Sequence, residues 1–232
     1  MDKSKKNDNY YMAYEKRYKQ VYEHNYLWST IKPSPEVYDT ILKYNISKKH
    51  KILEIGCGEG RDAIFLLNNG YNVLAVDYSK TVVEKCKELS NYKYNDCFRQ
   101  LDIIKDKLNG KYNFIYSIAV IHMFVNQEHR SKFYKFVYNH LTNNGFALIV
   151  SMGDGIKNFE SDTNKSFENV QRTVVNNEKK IDVAMTSCKM VDWETLEKEI
   201  NDNRLMIIEK WISNEVPEFN PAMCVIVHKK EE

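Results

Sequence analysis

The densest run of chemistry-bearing residues is Glu54-Ile55-Gly56-Cys57-Gly58-Glu59-Gly60-Arg61-Asp62. Glycines at alternate positions let a backbone turn tightly and meet a ligand with no side chain in between. The run departs from the dinucleotide fingerprint G-x-G-x-x-G. Counted from Gly56 and Gly58, the third glycine would fall at position 61, which is Arg61; the glycine stands instead at Gly60. Glu54, two residues before the first glycine, repels a pyrophosphate and suits a ligand whose near end is a positively charged amine or sulfonium. Arg61 offers the opposite charge, either to a carboxylate of the same ligand or to hold the loop. Cys57 fits a small buried space beside the ligand better than the role of nucleophile.

Further polar groups follow apolar runs. Asp77 ends Val73-Leu74-Ala75-Val76-Asp77, with Tyr78 next, and Asp102 follows Arg99-Gln100-Leu101, with Ile103 next. A carboxylate can accept from two vicinal hydroxyls at once; Asp102 also reads as a loop cap. His122 lies just past Phe114-Ile115-Tyr116-Ser117-Ile118. An imidazole, with its ordinary pKa near 6.5, suits proton transfer, and a helix-start histidine bonded to backbone is the other reading. The five cysteines form no C-x-x-C pair, which disfavours a zinc ribbon or a dithiol centre, so no metal is expected.

These groups need elements to position them. Lys51–Ile55, Asn72–Val76, Phe98–Leu101, Phe114–Ile118 and Gly145–Ser151 read as strands. Arg61–Asn69, a segment capped by Ser79 and running to Leu89, and Glu128–Leu141 read as helices between them. That alternation predicts a doubly wound, mostly parallel sheet with helices on both faces. A helix Asp192–Ile200 and strands Leu205–Ile212 and Met223–Val227 close the pattern. Gly153-Asp154-Gly155 opens an expected insertion near residues 154–190. Within it, Val170–Val175 and Ile181–Thr186 form a candidate hairpin around Asn176–Lys179.

Upstream, Tyr10, Tyr14, Tyr18, Tyr22 and Tyr26 recur at i+4 and predict one aromatic helix face. The helix leads into Trp28 and the Pro33/Pro35 elbow, where Ser34 and Pro35 suit the start of a helix over Glu36–Tyr44. Residues 10–35 are expected to form a lid that excludes water from the site, or else an outer brace. Residues 1–9 read as a frayed tail, and 36–232 as the main domain.

The glycine loop with Glu54 before it and Asp77 one strand later resembles motif I and the ribose-binding acid of class I S-adenosylmethionine-dependent methyltransferases. The resemblance covers roughly residues 50–152. It implies a seven-stranded Rossmann-like fold and binding of S-adenosylmethionine, with S-adenosylhomocysteine as product. Carried over residue by residue, the cofactor would meet Glu54, Gly56, Cys57, Gly58, Gly60, Arg61, Asp77, Tyr78, Asp102, Ile103 and Ser117. The pieces Gly58-Glu59-Gly60-Arg61-Asp62-Ala63 and Asn69-Gly70-Tyr71-Asn72-Val73 look like the small-molecule branch that includes tellurite-resistance and thiopurine methyltransferases. His122 would be the catalytic group, and Tyr22, Tyr26, Trp28, Met123 and Met152 would line the acceptor side or the lid.

No Asn/Asp-Pro-Pro-Tyr/Phe motif ends the fourth strand, so base-amine and glutamine methylation are disfavoured. The net charge of +2 disfavours a nucleic-acid partner on electrostatic grounds. No apolar run reaches the roughly 18 residues of a membrane helix. The N-terminus carries no secretory signal, and free thiols fit a cytoplasmic location. The expected function is methyl transfer to a small-molecule acceptor at O, N or S. An RNA or protein methyltransferase and a non-catalytic cofactor-binding module remain the alternatives.

Overall fold

The apolar runs become the inner strands of one sheet in the computed structural model, which describes residues 8–174 and 179–230. A 3-10 turn over Tyr10–Met12 leads into α1 (Ala13–Glu23) and α2 (Pro35–Lys43). There follow β1 (Lys51–Ile55), α3 (Arg61–Asn68), β2 (Asn72–Asp77), α4 (Lys80–Leu89), β3 (Phe98–Gln100), β4 (Tyr112–Ile118), α5 (Gln127–His140) and β5 (Leu141–Met152). Four short strands come next: β6 (Phe159–Glu160), β7 (Asn169–Thr173), β8 (Lys180–Ala184) and β9 (Lys189–Met190). α6 (Trp193–Asp202), β10 (Leu205–Ser213) and β11 (Ala222–Lys229) close the described chain.

The main sheet runs β10-β11-β5-β4-β1-β2-β3. β1 to β5 are mutually parallel, and β11 lies antiparallel between β5 and β10. Strand alternation puts Leu53, Ile55, Ile115 and Ile149 into one apolar cluster with α5 and α6. The intervening Ile52, Phe114, Tyr116 and Leu148 pack with α2, α3 and α4 on the other face. Strands buried on both faces read as continuous apolar runs, which is why they were legible. The order reverses between β1 and β4, and a crevice opens there at the carboxyl ends of the strands.

Local chemistry sets the element ends. Ser79 Oγ accepts from Val82 N–H at 3.1 Å and caps α4, and Asp192 caps α6 through Thr195 N–H at 2.9 Å. Ser34 does precede α2, with Pro35 in the first turn, but its hydroxyl donates to Asp62 instead of capping. β5 starts at Leu141, four residues before the expected Gly145, because Leu141 pairs with Tyr112 across an irregularity in the ladder. α1 stops at Glu23 rather than reaching Tyr26. Asn25 turns left-handed at φ 57°, and Tyr26 N–H donates back to Val21 O at 3.3 Å, the wrap that ends many helices.

Between β5 and α6, β6 pairs with β9 and β7 pairs with β8 as an antiparallel hairpin. Its turn, expected over Asn176–Lys179, lies outside the described residues except for Lys179, and the expected tail falls outside them except for Asp8 and Asn9. The hairpin packs on α1. Arg17 Nε donates to Ala184 O at 3.0 Å, and Ala184 N–H donates to Gln20 Oε1 at 2.7 Å. Among the described residues, no helix is long and apolar enough to cross a membrane.

Candidate active site

The loop after β1 carries Gly56 at φ +69° and Gly58 at φ +51°, a region closed to most side chains. A Cβ on Gly56 would stand 2.4 Å from Val120 Cγ2, whereas one on Gly58 would meet only the Tyr18 hydroxyl, at 3.4 Å. The Gly58 backbone therefore faces open space, with α1 above it. That space is a cleft of about 1040 Å³, solvent at its mouth included.

Three carboxylates ring the floor. Glu54, at the end of β1, is 3% exposed. Burial, helped by the charge of Asp62, pushes its pKa well above the usual carboxylate range. Asp77 ends β2 and accepts from Gly58 N–H at 3.1 Å and Ser79 N–H at 2.9 Å; burial brings its pKa up to about 6. Asp102, after β3, accepts from the Tyr11 hydroxyl at 2.7 Å and from Ile104 N–H at 3.0 Å. Its cap to Ile104 coexists with a place on the cleft wall.

The roof is aromatic. Tyr11, Tyr14 and Tyr18 line the cleft from above, with Tyr78 at one side. The Tyr78 hydroxyl donates to Met12 O at 2.8 Å and accepts from Glu15 N–H. Glu15 in turn accepts from Ser79 Oγ and Thr81 Oγ1, so α1 is fastened over the start of α4. After α1, the strap around Trp28 and Ser29 is held by Glu59 of the glycine loop. One Glu59 oxygen takes Trp28 N–H, and the other takes Ser29 N–H and Ser29 Oγ, each at 2.7 Å. Asp62 holds the next stretch, accepting from Ser34 N–H at 2.6 Å. Arg61 reaches Ser34 Oγ at 3.3 Å and stands 3.7 Å from Asp62 and 3.8 Å from Glu218.

Glu54, Gly56, Cys57, Gly58, Arg61, Asp77, Tyr78, Asp102, Ile103, Trp28 and Met123 thus come together on the cleft wall. The other expected site residues stand elsewhere. Gly60 starts α3 at φ +76° and backs onto Cys86 and Phe98. Ser117 is buried and donates to Ile55 O at 3.2 Å. Tyr22 lies beside the roof with its hydroxyl buried and unpartnered. Tyr26 packs on the cluster of Val174, Ile181 and Val183, beyond the end of α1. Met152 contacts the Cys188 thiol.

His122, expected as the catalytic group, is not among the residues that line the cleft. The 3-10 turn Ile121–Met123 sends Met123 into the cleft and His122 into the core, where it is 3% exposed and touches Phe219 with ring centres 5.6 Å apart. Burial, reinforced by the Arg130 charge, lowers its pKa to about 3. An imidazole so placed is a weak proton acceptor and does not reach the cleft.

The cleft also holds residues that sequence reasoning passed over: Tyr11, Ser29, Glu59, Phe124, Glu218 and Phe219. Ala119 at φ +56° and Glu218 at φ +71° line it in left-handed backbone, strain of a kind that collects at functional sites. Among the described residues, no group of three or more His, Cys, Asp or Glu side chains is arranged to hold a metal ion.

This strand order, with a glycine loop after β1 and an acid ending β2, is the fold of the S-adenosylmethionine-dependent methyltransferases. The methyltransferase CcbJ from Streptomyces caelestis superposes with a TM-score of 0.68 at 14% identity, over 94% of this chain and 99% of that one. The glycopeptide N-methyltransferase MtfA, solved with S-adenosylmethionine, gives 0.62 at 13% identity, over 85% and 94%. Residues 14–168 match the family model described as tellurite resistance protein TehB, and the chain belongs to that family. A relative from Haemophilus influenzae, described as a probable S-adenosyl-L-methionine-dependent methyltransferase TehB, is 31% identical over 104 residues. The match spans 44% of this chain and 35% of the relative, so the chain accounts for about a third of that protein's length.

The residues fit the cofactor this fold implies. Glu54 Oε2 and Arg61 Nη1 are both buried without a hydrogen-bond partner, and unpaired buried polar atoms are costly unless a ligand completes them. They flank the glycine loop in sequence. A zwitterionic amino-acid group would satisfy both, its ammonium held by the carboxylate and its carboxylate by the guanidinium.

Proposed function

We propose that this chain is an S-adenosylmethionine-dependent methyltransferase acting on a small-molecule acceptor. The observation that carries the reading is the pair of buried atoms without a hydrogen bond, Glu54 Oε2 and Arg61 Nη1, the latter 3.8 Å from Glu218, on either side of a loop whose Gly58 backbone faces the cleft. Asp77 would hold the ribose hydroxyls, and Asp102 with Ile103 the adenine. MtfA, of the same fold, is known with this cofactor bound, and the Haemophilus influenzae relative carries the same activity in its description.

When bound, the cofactor supplies an electrophilic methyl group. The protein's part is to orient and to exclude water. Glu54 and Arg61 fix the amino-acid end, and Asp77 fixes the ribose. α1 and the strap close the cleft above, and holding the partners in line is worth up to roughly 7–11 kcal/mol of barrier in favourable cases. A small acceptor is favoured because the aromatic side chains of Tyr11, Tyr14, Tyr18 and Trp28 cover part of the cleft and narrow the room left for a polymer. The free thiols fit a cytoplasmic location.

Calorimetry tests the site. Wild type should bind S-adenosylmethionine and S-adenosylhomocysteine. Gly58→Val should abolish binding, because a branched side chain enters the cleft from a left-handed backbone. Asp77→Ala should cost about 1.5–3 kcal/mol, roughly 10- to 150-fold in affinity. Unchanged affinity in both folded variants removes the assignment. Labelled methyl transfer into a metabolite extract then identifies the product.

A further inference from the structure

Resting on that reading, we propose that the acceptor is an amine and that Glu218 receives it and takes its proton. Once the glycine backbone, Asp77 and Asp102 are given to the cofactor, the lining that remains includes Trp28, Glu59, Met123, Glu218 and Phe219 beside the roof tyrosines, with Arg61 also on the wall. Neither lysine nor histidine is among the lining residues; six carboxylates face one guanidinium. That guanidinium lies within 4 Å of two of the carboxylates, Asp62 at 3.7 Å and Glu218 at 3.8 Å. With Arg61 assigned to the cofactor's carboxylate, an oxyanion acceptor entering here meets like charge from the remaining lining, which builds rejection into the site. A cation, or a neutral group formed from one, meets the opposite field.

Of the two carboxylates on this side, Glu59 is spent. Both its oxygens hold the strap. Glu218 takes Thr30 N–H at Oε1, which leaves Oε2 for a ligand. Its side chain is only 15% exposed, and its backbone is held at φ +71°, a cost a glutamate bears only where its surroundings enforce it. Phe219, next to Glu218 in the chain, also lines the cleft, and aromatic faces attract ammonium groups; the Trp28 ring already carries the Arg17 guanidinium at 4.6 Å. Burial raises the Glu218 pKa, and nearby Glu59 adds to this, while Thr30 N–H and the Arg61 charge oppose it. The net rise moves the carboxylate toward the amine it must deprotonate and makes it a better proton acceptor.

The step balances. A protonated amine gives one proton to the Glu218 carboxylate. The freed nitrogen lone pair forms the N–C bond as the methyl–sulfur bond breaks, and that bond's electron pair stays on sulfur. The sulfonium charge disappears as a methylammonium charge appears, and Glu218 returns its proton to solvent.

The test compares size-matched ligands of opposite charge on the chain saturated with S-adenosylhomocysteine. Phenethylamine and tryptamine are set against phenylacetate, indole-3-acetate and tellurite, by calorimetry and by labelled methyl transfer from S-adenosylmethionine. The amines should bind about tenfold or more tighter than the matched carboxylates. Glu218→Gln should erase most of that preference and lower amine turnover about 10²–10⁴-fold, while S-adenosylhomocysteine affinity stays within about twofold of wild type. Glu218→Asp should recover part of the rate, and the rate should fall with pH as the carboxyl protonates in the field of Arg61 and Glu59. Equal or tighter carboxylate binding, binding of neither class, methylation of tellurite in place of the amines, or an indifferent Glu218→Gln overturns the proposal. Loss of S-adenosylhomocysteine binding by wild type overturns the cofactor reading instead.

Discussion

Glu59→Gln should release the strap that closes the cleft. The wild-type carboxylate is 5% exposed and accepts three hydrogen bonds of 2.7 Å, two of them from the backbone N–H groups of Trp28 and Ser29. A glutamine has one carbonyl oxygen. Placed toward Trp28 it presents its NH₂ to Ser29 N–H; turned around it does the same to Trp28 N–H. Either way one backbone donor loses its partner, at about 1–3 kcal/mol, and the remaining bonds lose the strengthening of a charged acceptor, about 1 kcal/mol more. A total of about 2–4 kcal/mol on strap docking corresponds to roughly 30- to 700-fold faster exchange of those two amides. Hydrogen exchange of residues 26–31 measures it directly, with the α3 and β1 amides as the internal reference. The variant should stay folded, since the sheet does not depend on this contact. Exchange at Trp28 and Ser29 within about threefold of wild type would show that Glu59 does not hold the strap.

Other expectations follow from the buried charges. Because burial raises the Glu54 pKa, a cationic ligand at this carboxylate lowers it again and releases a proton. Cofactor binding should strengthen as pH rises through the raised pKa, and its calorimetric enthalpy should vary with buffer ionisation heat; buffer-independent heats would count against Glu54 as the contact. His122 has a folded pKa of about 3 against about 6.5 unfolded. The unfolded state therefore binds the extra proton, and stability falls as pH drops from 6.5 toward 3, by about 1.4 kcal/mol per unit. Folded His122→Asn should lose this acid sensitivity in melts at pH 5, and a slope equal to wild type would refute it. Arg130, fully buried, meets Glu199 with two bonds of 2.7 Å. Glu199→Ala strands that charge and should cost about 3–5 kcal/mol in denaturant unfolding; a cost under about 1 kcal/mol would mean that water or another acceptor rescues Arg130.

What could be read from the sequence was what is local. The glycine loop announces itself because Glu54, Gly56 and Gly58 are contiguous with the strand that places them, and Asp77 sits at the end of a matching apolar run. The tyrosine face was visible as a period. Which rings reach the cleft was not, since that depends on where the helix stops. Tyr14 and Tyr18 point into the cleft, Tyr22 lies beside it, and Tyr26 stands past a left-handed Asn25 with no sequence signal stronger than the asparagine itself. His122 was placed correctly relative to the strand end but not in direction, because a single 3-10 turn decides which of two neighbours faces inward. Glu218 and Phe219 carry no local pattern. They arrive because β11 runs back alongside β5, pairing Ala222 with Met152, and so bring a loop from about a hundred residues downstream of β4 to the ends of the parallel strands.

The bonds from Arg17 and Gln20 to Ala184 join two segments far apart in the chain. The roof helix uses the edge of the hairpin as its support, and the hairpin uses the helix to finish its own backbone hydrogen bonding. Neither piece is separable as a module. A chimaera that takes the stretch 154–190 from another protein would need to bring a matching helix with it, and a deletion of the hairpin would leave Val21 and Tyr22 bare. The two segments therefore share a constraint: a length change in either disturbs the bonds that Arg17 and Gln20 make with Ala184, and a compensating change in the other would be needed to restore them.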